Sequence, residues 1–307
     1  LNVSLNAKTK SLAKRFFTEL LISFRAFFVI LRLKKLSHFD VLIWYSPTIF
    51  WGPIIKLLNF FKKSHKYLIL RDIFPKWAID LEILKKEGIK HKVLRAFENL
   101  QYRTADTIAI QTEGNISYFD DIPNTSKKIR ILRTWYDSSS SEIDLPESIC
   151  NKIPKDKKIL LYAGNLGVAQ DQELLLETIK KMQDQKEFIF LLVGLKDKDK
   201  HNIEKYSSMQ GLSNILILDS IDHRYMDALC RRSYIGIFSL DKRHTTHNIP
   251  GKFLQYLSTG LPVFGLCGKG DIVKLISDRG FGRTYLGNQA DEAVEILKEL
   301  SSDIEND

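Results

Sequence analysis

Short runs rich in Val, Ile, Leu, Phe and Tyr alternate with helix-period patterns along nearly the whole chain, and this alternation limits the possible folds more than any other feature. In the first half the runs fall at 40–45, 66–71, 106–111 and 128–132, with helical stretches near 48–62, 90–104 and 113–119. In the second half they fall at 158–162, 188–193, 214–218, 235–239 and 262–264. Helical patterns there lie near 171–184, 199–207, 224–232, 250–259, 269–278 and 289–302. Strands that are apolar almost throughout must be covered on both faces, which predicts parallel sheets wrapped by helices. The stretch 138–157 holds Ser138 to Ser141, Pro146 and Pro154 and has no period, so it reads as a linker. The organisation predicted is a first α/β domain over 1–137, a linker over 138–157 and a second α/β domain over 158–307. At 307 residues each domain can bury a core of its own.

Charge divides the two halves. Residues 1–137 carry 24 Lys and Arg against 12 Asp and Glu, whereas the remainder is slightly acidic, within a formal total of +9. The excess begins in 10–36, where Lys10, Lys14, Arg15, Arg25, Arg32, Lys34 and Lys35 interleave with bulky apolar residues. Positions 17, 20, 21, 24, 27, 28 and 31 form one apolar helical face. A core-facing helix with a solvated basic back fits this pattern, and so does a face lying on anionic lipid. Nucleic acid is not expected, because no RNP-like motif, zinc-finger spacing or basic zipper is present. The apolar segment 16–33 is broken by Glu19, Arg25 and Arg32, which argues against a membrane span. Cys150, Cys230 and Cys267 are odd in number and far apart, which excludes a disulfide framework and suits a reducing cytoplasm.

Several segments could carry chemistry. The strand at 158–162 runs into Ala163-Gly164-Asn165-Leu166-Gly167 and, after Gln170-Asp171, a helix. Such a turn offers free N–H groups to a phosphate, although it also occurs as a plain tight turn. In His247-Asn248-Ile249-Pro250-Gly251-Lys252-Phe253-Leu254-Gln255-Tyr256, Pro250 suits the first turn of a helix. Lys252 would then sit at the positive end of the dipole, where a cation gains from meeting an anion, although an ordinary surface lysine needs no such partner. There is no GxGxxG and no GxxxxGK[ST]. Asp197-Lys198-Asp199 has the form of a metal-binding DxD but lies among lysines and reads as a solvated turn. His244 and His247 are either loop histidines or ligand contacts, and Trp135 either hinge packing or a sugar platform.

These residues, taken in order, resemble the retaining glycosyltransferases of family 4. Asp72-Ile73-Phe74-Pro75 resembles the family's Asp-hydrophobe-aromatic-Pro segment, and 128–137 is similar to the end of its first domain. Tyr162-Ala163-Gly164-Asn165-Leu166-Gly167 resembles its phosphate-facing turn, and Pro250-Gly251-Lys252-Phe253-Leu254-Gln255-Tyr256 its Pro-Ser-Lys-x-x-Glu-Tyr segment. A subgroup of L-fucosamine transferases of surface-polysaccharide assembly looks nearest. The resemblance implies a GT-B fold, two Rossmann-like domains with parallel sheets facing across a cleft. It further implies transfer of an N-acetylated deoxy sugar from a UDP-sugar to a polyprenyl diphosphate-linked saccharide, with retention, in O-antigen or capsule biosynthesis. The donor contacts it implies are Gly164, Asn165, Gly167, Gln170, His247, Asn248, Pro250, Gly251, Lys252 and Gln255, and the catalytic positions Arg71 and Asp72. No metal and no cofactor are expected, and the location implied is the inner face of the cytoplasmic membrane, bound peripherally through 10–36.

Departures accompany the match. The family's Glu-x7-Glu pair falls on His247 and Gln255, and its Arg and Lys after the Gly turn fall on Asn165 and Gln170. Gln255 can hydrogen-bond a sugar hydroxyl but cannot act as a base. Arg71-Asp72 stands where an acceptor-side His is common. Asp72 can orient or deprotonate an acceptor, or simply cap a loop before Pro75. The first domain's opening strand and Gly turn are not found ahead of 40–45, which suggests a chain shortened at its N-terminus by about one βαβ unit. A nucleotide-sugar epimerase of the same fold and a non-catalytic, membrane-binding homologue remain open alternatives.

Overall fold

The computed structural model describes residues 12–32, 39–46, 48–61, 63–137 and 143–306. It divides into two compact units, one made of the residues up to Arg133 with Thr246–Asn248, the other of Thr134–Thr245 with the residues from Ile249 on. The division after Arg133 precedes the stretch 138–157. Of that stretch, 138–142 lies outside the described residues, while the short helix α5 (Glu147–Cys150) and the buried Ile153 belong to the second unit.

The first unit contains α1 (Leu12–Arg32), β1 (Val41–Ser46), α2 (Trp51–Phe61), β2 (His65–Leu70), α3 (Lys76–Asp80), α4 (Ile89–Thr104), β3 (Thr107–Ile110) and β4 (Ile129–Ile131). Its sheet runs in the order β1-β2-β3-β4, parallel throughout. Trp44, Leu68, Leu70, Ile108 and Ile110 build its core with Ile55, Tyr102 and Phe119. Glu98 of α4 is fully buried, a position an acid holds only when its oxygens are satisfied. Arg95 pairs with it at 2.6 Å, and the hydroxyls of Tyr118 and Tyr102 donate to it at 2.7 and 2.9 Å. Burial nevertheless raises its pKa above the ordinary carboxylate value. β1 is one of the two edge strands, and its residues Val41, Ile43 and Tyr45 are exposed, so among the described residues nothing fully covers that face of the strand.

The segment 113–119, expected as a helix, forms a tighter 3₁₀ turn. On α1 the exposed residues are Leu21, Phe24, Arg25, Phe28 and Arg32, a stripe at helical spacing, while Ser23 is buried and its hydroxyl donates to the carbonyl of Glu19. The apolar face expected of this segment is therefore solvent-facing at 21, 24 and 28. Lys10, Lys34 and Lys35 lie outside the described residues, as do the side chains of Lys14, Arg15, Phe16, Phe17 and Leu31.

The second unit contains β5 (Lys158–Ala163), α6 (Gln172–Lys181), β6 (Phe188–Val193), α7 (Asp197–Gln210), β7 (Ile215–Leu218), α8 (Met226–Arg232), β8 (Ile235–Ser239), α9 (Gly251–Ser258), β9 (Val263–Leu266), α10 (Asp271–Arg279), β10 (Gly282–Tyr285) and α11 (Ala290–Asn306). All six strands are parallel, in the order β10-β9-β8-β5-β6-β7. The order reverses between β5 and β8, the topological switch point where such sheets open a crevice at the carboxyl ends of their strands. Successive side chains point to opposite faces. Leu160, Tyr162, Leu192, Ile237 and Phe264 meet residues of α6 and α11 on one side. Leu161, Ala163, Val193 and Phe238 meet residues of α8, α9 and α10 on the other. The expected parallel α/β architecture is thus present in both units.

Asp197-Lys198-Asp199 is the first turn of α7 rather than a free turn, because two acids at a helix N-terminus are favoured by its dipole. Among the described residues no group of three His, Cys, Asp or Glu could hold a metal ion.

Candidate functional site

The carboxyl ends of β5, β6 and β7 supply one wall of a cavity of about 340 Å³. Ala163 and Gly164 line it from β5, Val193 and Gly194 from β6, and Ser220 and Ile221 follow β7. Met226 of α8 and Lys252 and Gln255 of α9 close it. Both glycines require positive φ, +96° at Gly164 and +79° at Gly194, a conformation that side chains with a Cβ resist. The N–H of Gly164 is tied to the carbonyl of Val193 at 2.7 Å, which holds the two strand ends together.

The position of this turn is set from behind. The Tyr256 hydroxyl accepts from the N–H of Ala163 at 3.0 Å and faces the carbonyls of Leu161 and Ile237, each at 3.2 Å. Its ring is fully buried and lies where Gly236 has no side chain; a Cβ there would come within 2.5 Å of the ring. The conformation of the turn and the anchoring of α9 are therefore one packing problem.

Lys252 is the charged member of the cavity. Its Nζ is closed off from solvent and has no hydrogen-bond partner. It stands 3.5 Å from the centre of the Tyr162 ring, and a Cβ on Gly164 would lie 4.0 Å from it. The ring face attracts a cation, but burial dominates and pulls the lysine down to about 7. An ammonium held here, at the N-terminal end of α9, the end of a helix that favours negative charge, is placed to receive an anion. Pro250 is the N-cap of α9, one residue earlier than the expected first helical position, and Gly251 begins the helix.

Gln255 lies one turn along α9 from Lys252. Its Nε2 donates to the Tyr136 hydroxyl at 3.1 Å and to Asp227 Oδ1 at 3.2 Å, and the Tyr136 hydroxyl donates to the same Oδ1 at 2.7 Å. Asp227 and Tyr136 were not expected in the site. They lie 91 residues apart, and the only signal was an acid beside Met226, Leu229 and Cys230 on an otherwise apolar face of α8.

Other expected residues fall elsewhere. The N–H of Gly167 donates to Gln170 Oε1 at 2.7 Å, and the Tyr162 hydroxyl donates to the carbonyl of Asn165 at 3.2 Å. Asn165, Gly167 and Gln170 thus close their own loop and are not among the residues lining the cavity. Asn165 Oδ1 is buried without a hydrogen-bond partner. His247 and Asn248 group with the first unit. The His247 N–H donates to Asn115 Oδ1 at 2.9 Å, and its carbonyl accepts from Thr112 Oγ1 at 2.9 Å and from Asn115 Nδ2 at 3.1 Å. Its ring packs on Gly114 so closely that a Cβ there would approach Nδ1 to 2.2 Å. Asn248 Nδ2 donates to Asp72 Oδ1 at 3.4 Å. Asp72 follows Arg71 in the loop after β2.

Residues 157–303 match the model of the glycosyl transferases group 1 family. The chain is 22% identical over 236 residues to WcaI of Escherichia coli (strain K12), assigned as a glycosyl transferase of colanic acid biosynthesis, covering 72% of this chain and 56% of that protein. It is 21% identical over 240 residues to WbjE of Pseudomonas aeruginosa, assigned as a glycosyltransferase, covering 76% and 59%. The chain therefore spans less than two thirds of the length of either relative. The crystal structure of Anabaena Alr3699/HepE in complex with UDP-glucose superposes with a TM-score of 0.68 at 13% identity, covering 92% of this chain and 73% of that one. This likeness fixes the fold as GT-B.

Proposed function

We propose that this chain, whose residues 157–303 match the glycosyl transferases group 1 family and whose fold is GT-B, transfers a sugar from a UDP-sugar to a lipid-linked saccharide in surface-polysaccharide biosynthesis. The observation that carries the reading is Lys252, a buried ammonium with no hydrogen-bond partner, between the Tyr162 ring and the Gly164 turn at the carboxyl ends of parallel strands. A leaving UDP develops charge on its diphosphate, and a preorganised cation with backbone donors stabilises that charge without a metal. Gln255 offers a hydrogen bond to a hydroxyl. Asp72 and Arg71 are the acceptor-side groups of this proposal, Asp72 as the carboxylate that orients or deprotonates the acceptor.

Retention at the anomeric carbon and an N-acetylated deoxy sugar as the transferred group complete the proposal, supported by the resemblance to family 4. The test is incubation of the purified protein with a panel of UDP-sugars and a polyprenyl diphosphate-linked saccharide, product stereochemistry being read by NMR. Transfer from one UDP-sugar with an α-linked product from an α-linked donor supports the reading. Turnover of none, or inversion, overturns it.

The acceptor places the enzyme at a membrane, and no described helix is long and apolar enough to cross one. We assign the contact to the stripe of α1, where Leu21, Phe24 and Phe28 are 51%, 46% and 59% exposed beside Arg25 and Arg32. Aromatic side chains entering the acyl boundary and arginines near anionic headgroups each contribute to binding. The double variant Phe24→Glu/Phe28→Glu is expected to reduce flotation with phosphatidylglycerol-containing vesicles by about tenfold or more, since each Phe forfeits roughly 1.5 kcal/mol or more of apolar burial. Flotation unchanged by the pair removes α1 from the contact.

A further inference from the structure

Among the described residues Asp227 is the one buried acid of the second unit, 7% exposed, and it directly follows Met226 in the cavity wall. Burying a carboxylate costs free energy unless its oxygens are hydrogen-bonded, and the arrangement at Asp227 has a chemical consequence for its neighbour. An ionised carboxylate only accepts. Asp227 Oδ1 accepts a hydrogen bond from the Tyr136 hydroxyl at 2.7 Å, which leaves the Tyr136 oxygen to act as an acceptor too. Both groups meet Gln255 through Nε2, at 3.2 and 3.1 Å. A primary amide has a donor side and an acceptor side, and the two oxygens, 2.7 Å apart, share an N–H of Nε2 and so turn the donor side towards themselves. The acceptor that Gln255 turns away from this pair, and presents to a ligand, is therefore its carbonyl Oε1. The Tyr136 hydroxyl, pushed up to about 12 by burial and by the Asp227 bond, keeps its proton over the working pH range and so holds this polarity.

We infer that Asp227, with Tyr136, is a positioning residue that fixes the amide of Gln255 as an acceptor for a ligand hydroxyl, so that a neutral glutamine performs the hydrogen-bonding role of a carboxylate at that place. The inference rests on the UDP-sugar reading of the cavity and deepens it. The hydroxyl belongs either to the ribose or to the transferred sugar; the chemistry is the same and the arms of the test separate the two.

The experiment titrates UDP, 2′-deoxy-UDP, 3′-deoxy-UDP and UDP-N-acetylglucosamine into the wild type, Asp227→Leu and the exchanged pair Asp227→Asn/Gln255→Glu. A hydroxyl bond of this kind makes the wild type prefer UDP over a deoxy analogue, or UDP-N-acetylglucosamine over UDP, by about 3- to 10-fold. Asp227→Leu frees the amide to rotate, and the preference falls to within about twofold while binding of the diphosphate itself persists. In the exchanged pair the new carboxylate on α9 is the acceptor and the new amide on α8 the donor, so the preference returns. A role in packing alone would weaken all four ligands equally and give no such return. A wild type that binds UDP but shows neither preference, or an exchanged pair without it, overturns the inference. A wild type that binds no UDP overturns the reading of the cavity itself. Should Asp227→Leu fail to fold, Tyr136→Phe, which removes the hydroxyl that donates to Oδ1, takes its place with the same expected loss of preference.

Discussion

Replacing Lys252 with methionine abolishes tight UDP binding and at the same time makes the ligand-free protein more stable. Both results follow from one fact, the burial of Nζ without a hydrogen-bond partner. Charge-assisted bonds to a phosphate contribute about 1.5–3 kcal/mol each, so UDP affinity falls by roughly 10- to 100-fold or more. Against that, an apolar side chain of similar shape removes a buried cation, a change worth on the order of 1–4 kcal/mol of stability.

The pH dependence has a definite sign. Lys252 stands at about 7 in the folded protein, below its ordinary value, so between these two values the unfolded chain binds the extra proton. Stability therefore rises with pH from about 7 to about 10 in the wild type and loses this slope in Lys252→Met. A bound diphosphate favours the charged lysine, so UDP binding above pH 7 takes up a proton. Calorimetry in buffers of different ionisation enthalpy reads that uptake, and thermal unfolding across pH reads the slope. Unchanged UDP affinity in the variant removes Lys252 from the site.

Gly236→Ala is expected to be the most destabilising single change near the site. Its Cβ would come within 2.5 Å of the Tyr256 ring, which is fully buried and cannot move aside without taking its hydroxyl from the Ala163 N–H. Overpacking together with an orphaned buried donor costs about 3 kcal/mol or more. Tyr256→Phe isolates the second part: it removes only the hydroxyl and costs about 1–3 kcal/mol. Scanning calorimetry of the two variants orders them, and both are expected to weaken UDP binding through the displaced Gly164 turn. Equal stability of Gly236→Ala and wild type contradicts the packing derived for α9.

Periodicity located the inner strands well because β5 and β6 are buried on both faces and read as apolar runs, as in Ile159-Leu160-Leu161-Tyr162 and Phe190-Leu191-Leu192-Val193. It did not locate β10, Gly282-Arg283-Thr284-Tyr285, an edge strand whose polar side chains are partnered at the surface, Arg283 with Asp303 at 2.8 Å. α3 was missed as well; at five residues it is too short to show a period.

In the site, Gly164, Lys252 and Gln255 were legible because the strand-turn-helix context and a lysine beside a helix start are local signals. The cluster of Gln255 with Asp227 and Tyr136 was not, since it joins three segments distant in sequence and neither Asp227 nor Tyr136 carries such a local signal. Asn165, Gly167 and Gln170 share the local motif of the Gly turn, yet the Gly167 N–H and Gln170 Oε1 bond each other and the Asn165 carbonyl bonds Tyr162, which spacing alone does not reveal.

Calorimetric titration of UDP into the purified chain, beside GDP and NAD, tests the central claim most directly. Binding selective for UDP is expected, with proton uptake above pH 7 that disappears in Lys252→Met. Absence of nucleotide binding, or indistinguishable binding of UDP, GDP and NAD, contradicts it.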